Sequence, residues 1–189
     1  MRLFFSVPIP TEISREITAE SKKTAARSLR WIAPENQHFT LRFLGEIKEG
    51  RVAEFISAGQ ETARKHHPFL LTISGSGFFP DEVRPGVFWV GTGEGSERIV
   101  ALADGLSRVL NEGGFPSEDR PFIPHLTVAR VKGRVPPEIL KKLALWREKD
   151  FGSFKVNEFC LMESLLLPTG VVYQKVHSFS LEALNGKQG

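Results

Sequence analysis

The sequence predicts an α+β fold of two pseudo-symmetric lobes, each an antiparallel sheet with helices on its outer face, with a cleft between them. Two observations carry this. A His-apolar-Thr-apolar tetrapeptide occurs twice, as His38-Phe39-Thr40-Leu41 and as His125-Leu126-Thr127-Val128, 87 residues apart. Around each copy the same order recurs: helix, connector, motif strand, helix, strand, turn, strand. The helices after the two motifs start near Gly50 and Pro137, again 87 residues apart. We read this as an internal duplication within one bilobal domain spanning 1–189, with approximate halves 1–95 and 96–189. Sequence alone leaves open whether strands are exchanged between the lobes.

In chain order, Leu3 to Val7 reads as a short buried strand closed by Pro8 and Pro10. Thr11 is an N-cap candidate for a helix whose stripe, Ile13, Ile17, Ala25 and Leu29, predicts an end near Leu29. A connector leads to the first motif strand, His38 to Leu44. A helix from about Gly50 to His66 follows, then strands Phe69 to Phe79 and Val87 to Val90. Gly91 to Ser96 is the most glycine-dense stretch and reads as the link between halves. Beyond it come a helix over Glu97 to Gly113, the second motif strand from His125 to Val131, and a helix from Pro137 to about Glu148. One strand region over Phe154 to Leu167 and a returning strand over Val171 to Leu181 complete the pattern.

Composition sets bounds. The 189 residues suffice for a buried core, and 41% hydrophobic with 25% charged residues is ordinary for a globular chain. A net charge of +3 suits an anionic ligand without demanding one. The single cysteine, Cys160, has no partner for an internal disulfide, which favours a reducing, cytoplasmic setting. Pro8 cuts the first apolar run too short for a signal-peptide core, and no run approaches membrane-spanning length.

The motif carries chemistry through its spacing. Residues i and i+2 of a strand share a face, so each copy sets an acid/base group beside a hydroxyl donor. Two such pairs facing each other would hold one phosphate. The same alternation puts Arg42 with His38 and Thr40, and Phe39, Leu41 and Phe43 on the opposite face. In a regular strand it puts Arg130 opposite His125. No His, Cys and carboxylate cluster suggests a metal, and no cofactor is expected. The Gly91 to Ser96 loop lacks the third Gly of the dinucleotide fingerprint and the Lys of a P-loop.

Taken together, these features resemble the 2H phosphoesterase superfamily, and within it the RNA 2′,3′-cyclic phosphodiesterases, also called 2′-5′ RNA ligase-like proteins. The resemblance spans nearly the whole chain. It rests on Arg2-Leu3-Phe4-Phe5 leading to Pro10, on Asn36 to Gly45 around the first motif, and on Arg120-Pro121-Phe122-Ile123-Pro124 before the second. It implies metal-independent hydrolysis of RNA 2′,3′-cyclic phosphate ends, tRNA ends among the candidates, to 2′-phosphates, with a reversible 2′-5′ ligation at the same site. It implies His38 as proton donor and His125 as proton acceptor, with Thr40 and Thr127 beside them. It also points to Arg130 as a phosphate contact, which requires the strand to end or bulge after Val128. Arg42 is a further candidate for the phosphate, and a monomer is the expected state. Phe5, Trp31 and Phe43 are candidate base-stacking residues, with aromatic core as the competing role. Two alternatives stay open: a phosphodiesterase for another small cyclic or 2′-5′-linked nucleotide, and a non-catalytic RNA-binding module.

Overall fold

A computed structural model describes residues 1–24, 26–168 and 170–182. The elements in chain order are β1 (Arg2–Pro8), α1 (Thr11–Lys23), β2 (Leu29–Trp31), β3 (His38–Glu46), α2 (Val52–Arg64), β4 (Phe69–Phe79), β5 (Val87–Thr92), α3 (Ser96–Glu112), β6 (Leu126–Val131), α4 (Pro137–Ala144), β7 (Asp150–Val156), β8 (Glu158–Leu167) and β9 (Gly170–Ser180). Short 3-10 turns lie at Pro34–Asn36, Glu49–Arg51 and Leu145–Glu148.

The strands form one sheet in the order β7-β4-β5-β6-β3-β1-β8-β9, with β2 added beside β6. All pairings are antiparallel. The two motif strands meet at the centre through one pair, Phe39 with Leu126. Those residues are equivalent under the 87-residue offset, so the pseudo-twofold axis passes between them. Moving outward, β5 mirrors β1, β4 mirrors β8 and β7 mirrors β9. Each lobe therefore takes two of these strands from each half. β3 and β1 join β8 and β9; β6 and β7 join β5 and β4. The strands are exchanged, and neither lobe coincides with a half of the sequence.

This exchange explains a misjudged strand. The region Phe154 to Leu167 reads as continuous in sequence, but it breaks at Asn157. β7 ends on the outer edge of one lobe, and β8 begins in the other. Both flanks are strand-forming, so local pattern does not reveal the crossing. The first helix also stops early, at Lys23. Leu29 is not on its stripe but in β2, where it pairs with Val131. Ala25 lies outside the described residues. Pro10, not Thr11, occupies the N-cap position.

Helices cover one face of the sheet. α3 buries Ile99, Leu102, Ala103, Leu106 and Leu110, a stripe of helical spacing, and packs on β3, β4 and α2. α2 lies over β8 and β9. Its close approach depends on Gly59, where an added Cβ would stand 2.5 Å from the Phe179 ring. Phe5, Phe39, Phe88 and Phe159 fill the layer between. The opposite face of the central strands stays open, and the motif side chains occupy it.

Candidate active site

His38 stands at the start of β3 and His125 directly before β6. Each ring is anchored identically. The Nδ1–H of His38 donates to the Asn36 carbonyl at 2.9 Å, and that of His125 to the Ile123 carbonyl at 2.8 Å. A carbonyl can only accept, so each bond selects the tautomer protonated at Nδ1 and leaves Nε2 for chemistry. Asn36 and Ile123 are themselves equivalent under the offset, so the anchor was duplicated with the motif.

Both histidines line one cleft of about 340 Å³, together with Thr40, Thr127 and Arg130. Phe4, Phe43 and Tyr173 form its aromatic side. The two threonines arrive by the expected alternation, each two residues beyond its His and half-buried. The two arginines depend on backbone irregularities. β1 pairs Ser6 with Thr40 and then Phe5 with Arg42, leaving Leu41 as the extra residue of a bulge. Leu41 and Arg42 both become buried, and Phe43 turns to the cleft with 63% exposure. Across the sheet β5 pairs Trp89 with Thr127 and Phe88 with Ala129, leaving Val128 extra. Val128 and Ala129 are fully buried, and Arg130 swings onto the His125 side.

The expected place of Arg42 beside His38 is thereby corrected. The bulge sends its side chain away from the cleft. Its guanidinium donates to the Pro116 carbonyl, pairs with Glu118 at 3.4 Å and lies over the Phe115 ring. It ties down the connector that runs to His125. The duplication contained the signal for this: the offset maps Arg42 onto the apolar Ala129, and Phe43 onto Arg130. Among the aromatic candidates, Phe5 is core and Trp31 packs on Phe88 and Trp146. Phe43 alone of the three lines the histidine cleft.

Three neighbours escaped the sequence reading. Phe4 stacks on the His38 ring at 5.0 Å, and Tyr173 meets it edge-on at 5.0 Å. Phe79 meets the His125 ring edge-on at 4.9 Å. Phe4 is hidden in a run of apolar residues on a strand covered on both faces; Tyr173 and Phe79 come from hairpins distant in sequence.

Burial of the His38 ring has an electrostatic consequence. Burial pushes the pKa of His38 down to about 4; the nearby His125 adds a smaller repulsion, and the Asn36 carbonyl offsets only part of the two. A pH dependence of stability follows. Unfolding returns His38 to its ordinary value of 6.5. Between 6.5 and about 4 the unfolded chain takes a proton that the folded chain refuses. His38 therefore weakens the fold as pH falls through that window, by roughly 3 kcal/mol in all, and has no further effect below it. His38→Gln should remove this part of the acid sensitivity. Urea midpoints at pH 7 and pH 4.5 test it: the variant should lose less than the parent, and equal losses would show that burial does not hold His38 neutral.

Among the described residues, no three His, Cys, Asp or Glu side chains are grouped to hold a metal ion. None of the described helices is long and apolar enough to cross a membrane.

Comparison with known proteins agrees with the duplicated geometry. The model of the LigT-like phosphoesterases matches twice, over residues 7–89 and 90–173. A protein of Aquifex aeolicus named RNA 2′,3′-cyclic phosphodiesterase is 36% identical over 153 residues, covering 80% of this chain and 81% of its own. A protein of the same name from Thermus thermophilus is 35% identical over 100% of this chain and 94% of its own. Among solved structures, a protein of Thermus thermophilus superposes with a TM-score of 0.81 at 33% identity, covering 97% of this chain and 100% of that one. E. coli LigT complexed with 3′-AMP superposes with a TM-score of 0.78 at 26% identity, covering 95% and 97%. With both halves matched, two anchored histidines facing one cleft and relatives aligned over most of their length, the chain belongs to the LigT-like phosphoesterase family.

Proposed function

We propose that this chain hydrolyses RNA 2′,3′-cyclic phosphate ends to 2′-phosphates without a metal. The observation that carries this is the pair of identically anchored histidines lining one cleft with a threonine beside each. The names of the relatives point to the same substrate.

The chemistry follows from the arrangement. Water attacks phosphorus in line with the departing O3′, so one group must take a proton from water and another must supply one to O3′. His125 Nε2 accepts the proton from water. His38 Nε2 donates to O3′ as the P–O3′ bond breaks, leaving the phosphate on O2′. Thr40, Thr127 and Arg130 hold the non-bridging oxygens as charge builds on them. The depressed pKa of His38 adds a condition: in the free protein at neutral pH the ring is neutral, with its one proton on Nδ1, so Nε2 has none to give. A bound phosphodiester anion favours the imidazolium and raises that pKa. His38 therefore becomes charged as substrate binds, and the acid is assembled only in the complex.

The deciding assay incubates the purified chain with a 2′,3′-cyclic nucleotide and with a short RNA carrying that end, in excess EDTA. A 2′-phosphate should form from both at the rate seen without chelator. Loss of activity in EDTA that a divalent metal restores would overturn the metal-free reading. Turnover confined to 2′-5′-linked or other cyclic nucleotides would replace the substrate, and stoichiometric binding without turnover would favour an RNA-binding module.

A further inference from the structure

The catalytic cleft continues into a second groove that the reaction above does not use. The groove runs between β2 with the Pro34–Asn36 turn on one side and the first residues of β9 on the other. Arg130, Ile32, Asn36, Val171 and Tyr173 line both spaces, so the two are contiguous. The Asn36 side-chain amide reaches the Val171 carbonyl at 3.4 Å and marks the boundary.

Arg30 distinguishes this groove. It is the direct cross-strand partner of Arg130 in the β2–β6 pair. Directly opposed residues of an antiparallel pair project to one face, with Cα atoms about 4.5–5.5 Å apart. Both side chains are exposed, and both line the groove. Like charges in that position work against pairing. Among the described residues, neither has a carboxylate within salt-bridge distance. Glu35 also lines the groove and is the acidic group any anion there must avoid. Two cross-strand arginines without an ion-pair partner among the described residues, Arg130 lining both spaces and Arg30 the groove alone, match a ligand with two successive phosphates.

We infer that Arg30 and this groove bind the phosphodiester immediately 5′ of the terminal nucleotide, so that the site is built for the end of a polynucleotide rather than for a free cyclic nucleotide. This rests on the proposed substrate. With Arg130 on the terminal phosphate, the chain leaves the cleft through the ribose O5′, and Arg30 meets the next phosphate. Val171 and Val172 then offer an apolar flank to the penultimate nucleoside.

The test compares ApA ending in a 2′-phosphate with adenosine 2′-phosphate, by calorimetric binding to the full chain at fixed salt. Their 2′,3′-cyclic forms serve as substrates in parallel. The wild type should favour the dinucleotide by about tenfold. Arg30→Ala should remove most of that preference and change mononucleotide binding by less than about twofold. A dinucleotide with a neutral methylphosphonate linkage should bind the wild type as weakly as the mononucleotide does and be indifferent to Arg30→Ala. Arg30→Ala that weakens both ligands equally, or neither, overturns the inference, as does a methylphosphonate dinucleotide that keeps the full preference. Absence of turnover of either cyclic form by the wild type would instead count against the proposed reaction, while the binding comparison still decides the groove.

Discussion

His38→Ala and His125→Ala are each expected to slow turnover of a 2′,3′-cyclic end by about 10²–10⁴-fold, and a sulfur leaving group is expected to separate them. The two rings share tautomer and anchoring, so geometry makes them equivalent; environment does not. A bell-shaped pH profile cannot assign acid and base, because swapped protonation states give the same curve. Replacing the 3′ bridging oxygen by sulfur can. A thiolate departs without a proton, so a variant lacking the acid recovers rate and one lacking the base does not. His38→Ala should regain most of its loss on the sulfur substrate, and His125→Ala should stay slow. The reverse result would exchange the roles and agree with the neutral state of His38 in the free protein. Equal rescue of both would mean that neither histidine acts as described.

Arg130→Ala is expected to lower kcat/KM by about 10²–10³-fold, as for loss of a principal donor to developing phosphate charge, with little change in stability. Arg42→Ala should behave in the opposite way. Its guanidinium is buried and holds the Pro116 carbonyl and Glu118; removing it leaves those groups and a cavity, at a cost of about 1–3 kcal/mol. The kinetic effect should be the smaller one, transmitted through the connector to His125. Steady-state kinetics and urea unfolding on both variants decide the matter. A large kinetic loss in Arg42→Ala with unchanged stability would place that side chain on the phosphate and contradict the bulge at Leu41.

That contrast also shows where sequence reading stops. Period-two alternation correctly joins each Thr to its His, because Phe39 and Leu126 are buried and a one-residue slip there would put them in the cleft. The same rule fails one step later in both repeats. A bulge inserts one residue and reverses the faces beyond it, taking Arg42 into the interior and bringing Phe43 and Arg130 to the cleft. Nothing local announces a bulge at Leu41 or Val128. Comparing the repeats would have located Arg42 against Ala129, because a duplicated strand keeps its irregularities along with its motif.

By itself the sequence determined the duplication, the α+β class, most helices and strands, and the family resemblance. These depend on periodicity, turn residues and spacing, which are local or repeat at a fixed offset. Tertiary structure decided the strand exchange, the crossing at Asn157, the aromatic enclosure of His38 by Phe4 and Tyr173, and the pairing of Arg30 with Arg130. Each is a matter of which distant backbone completes a sheet edge. Two equivalent lobes offer nearly the same edge to either half, so the choice is made by packing across the whole molecule and leaves no mark in any one segment.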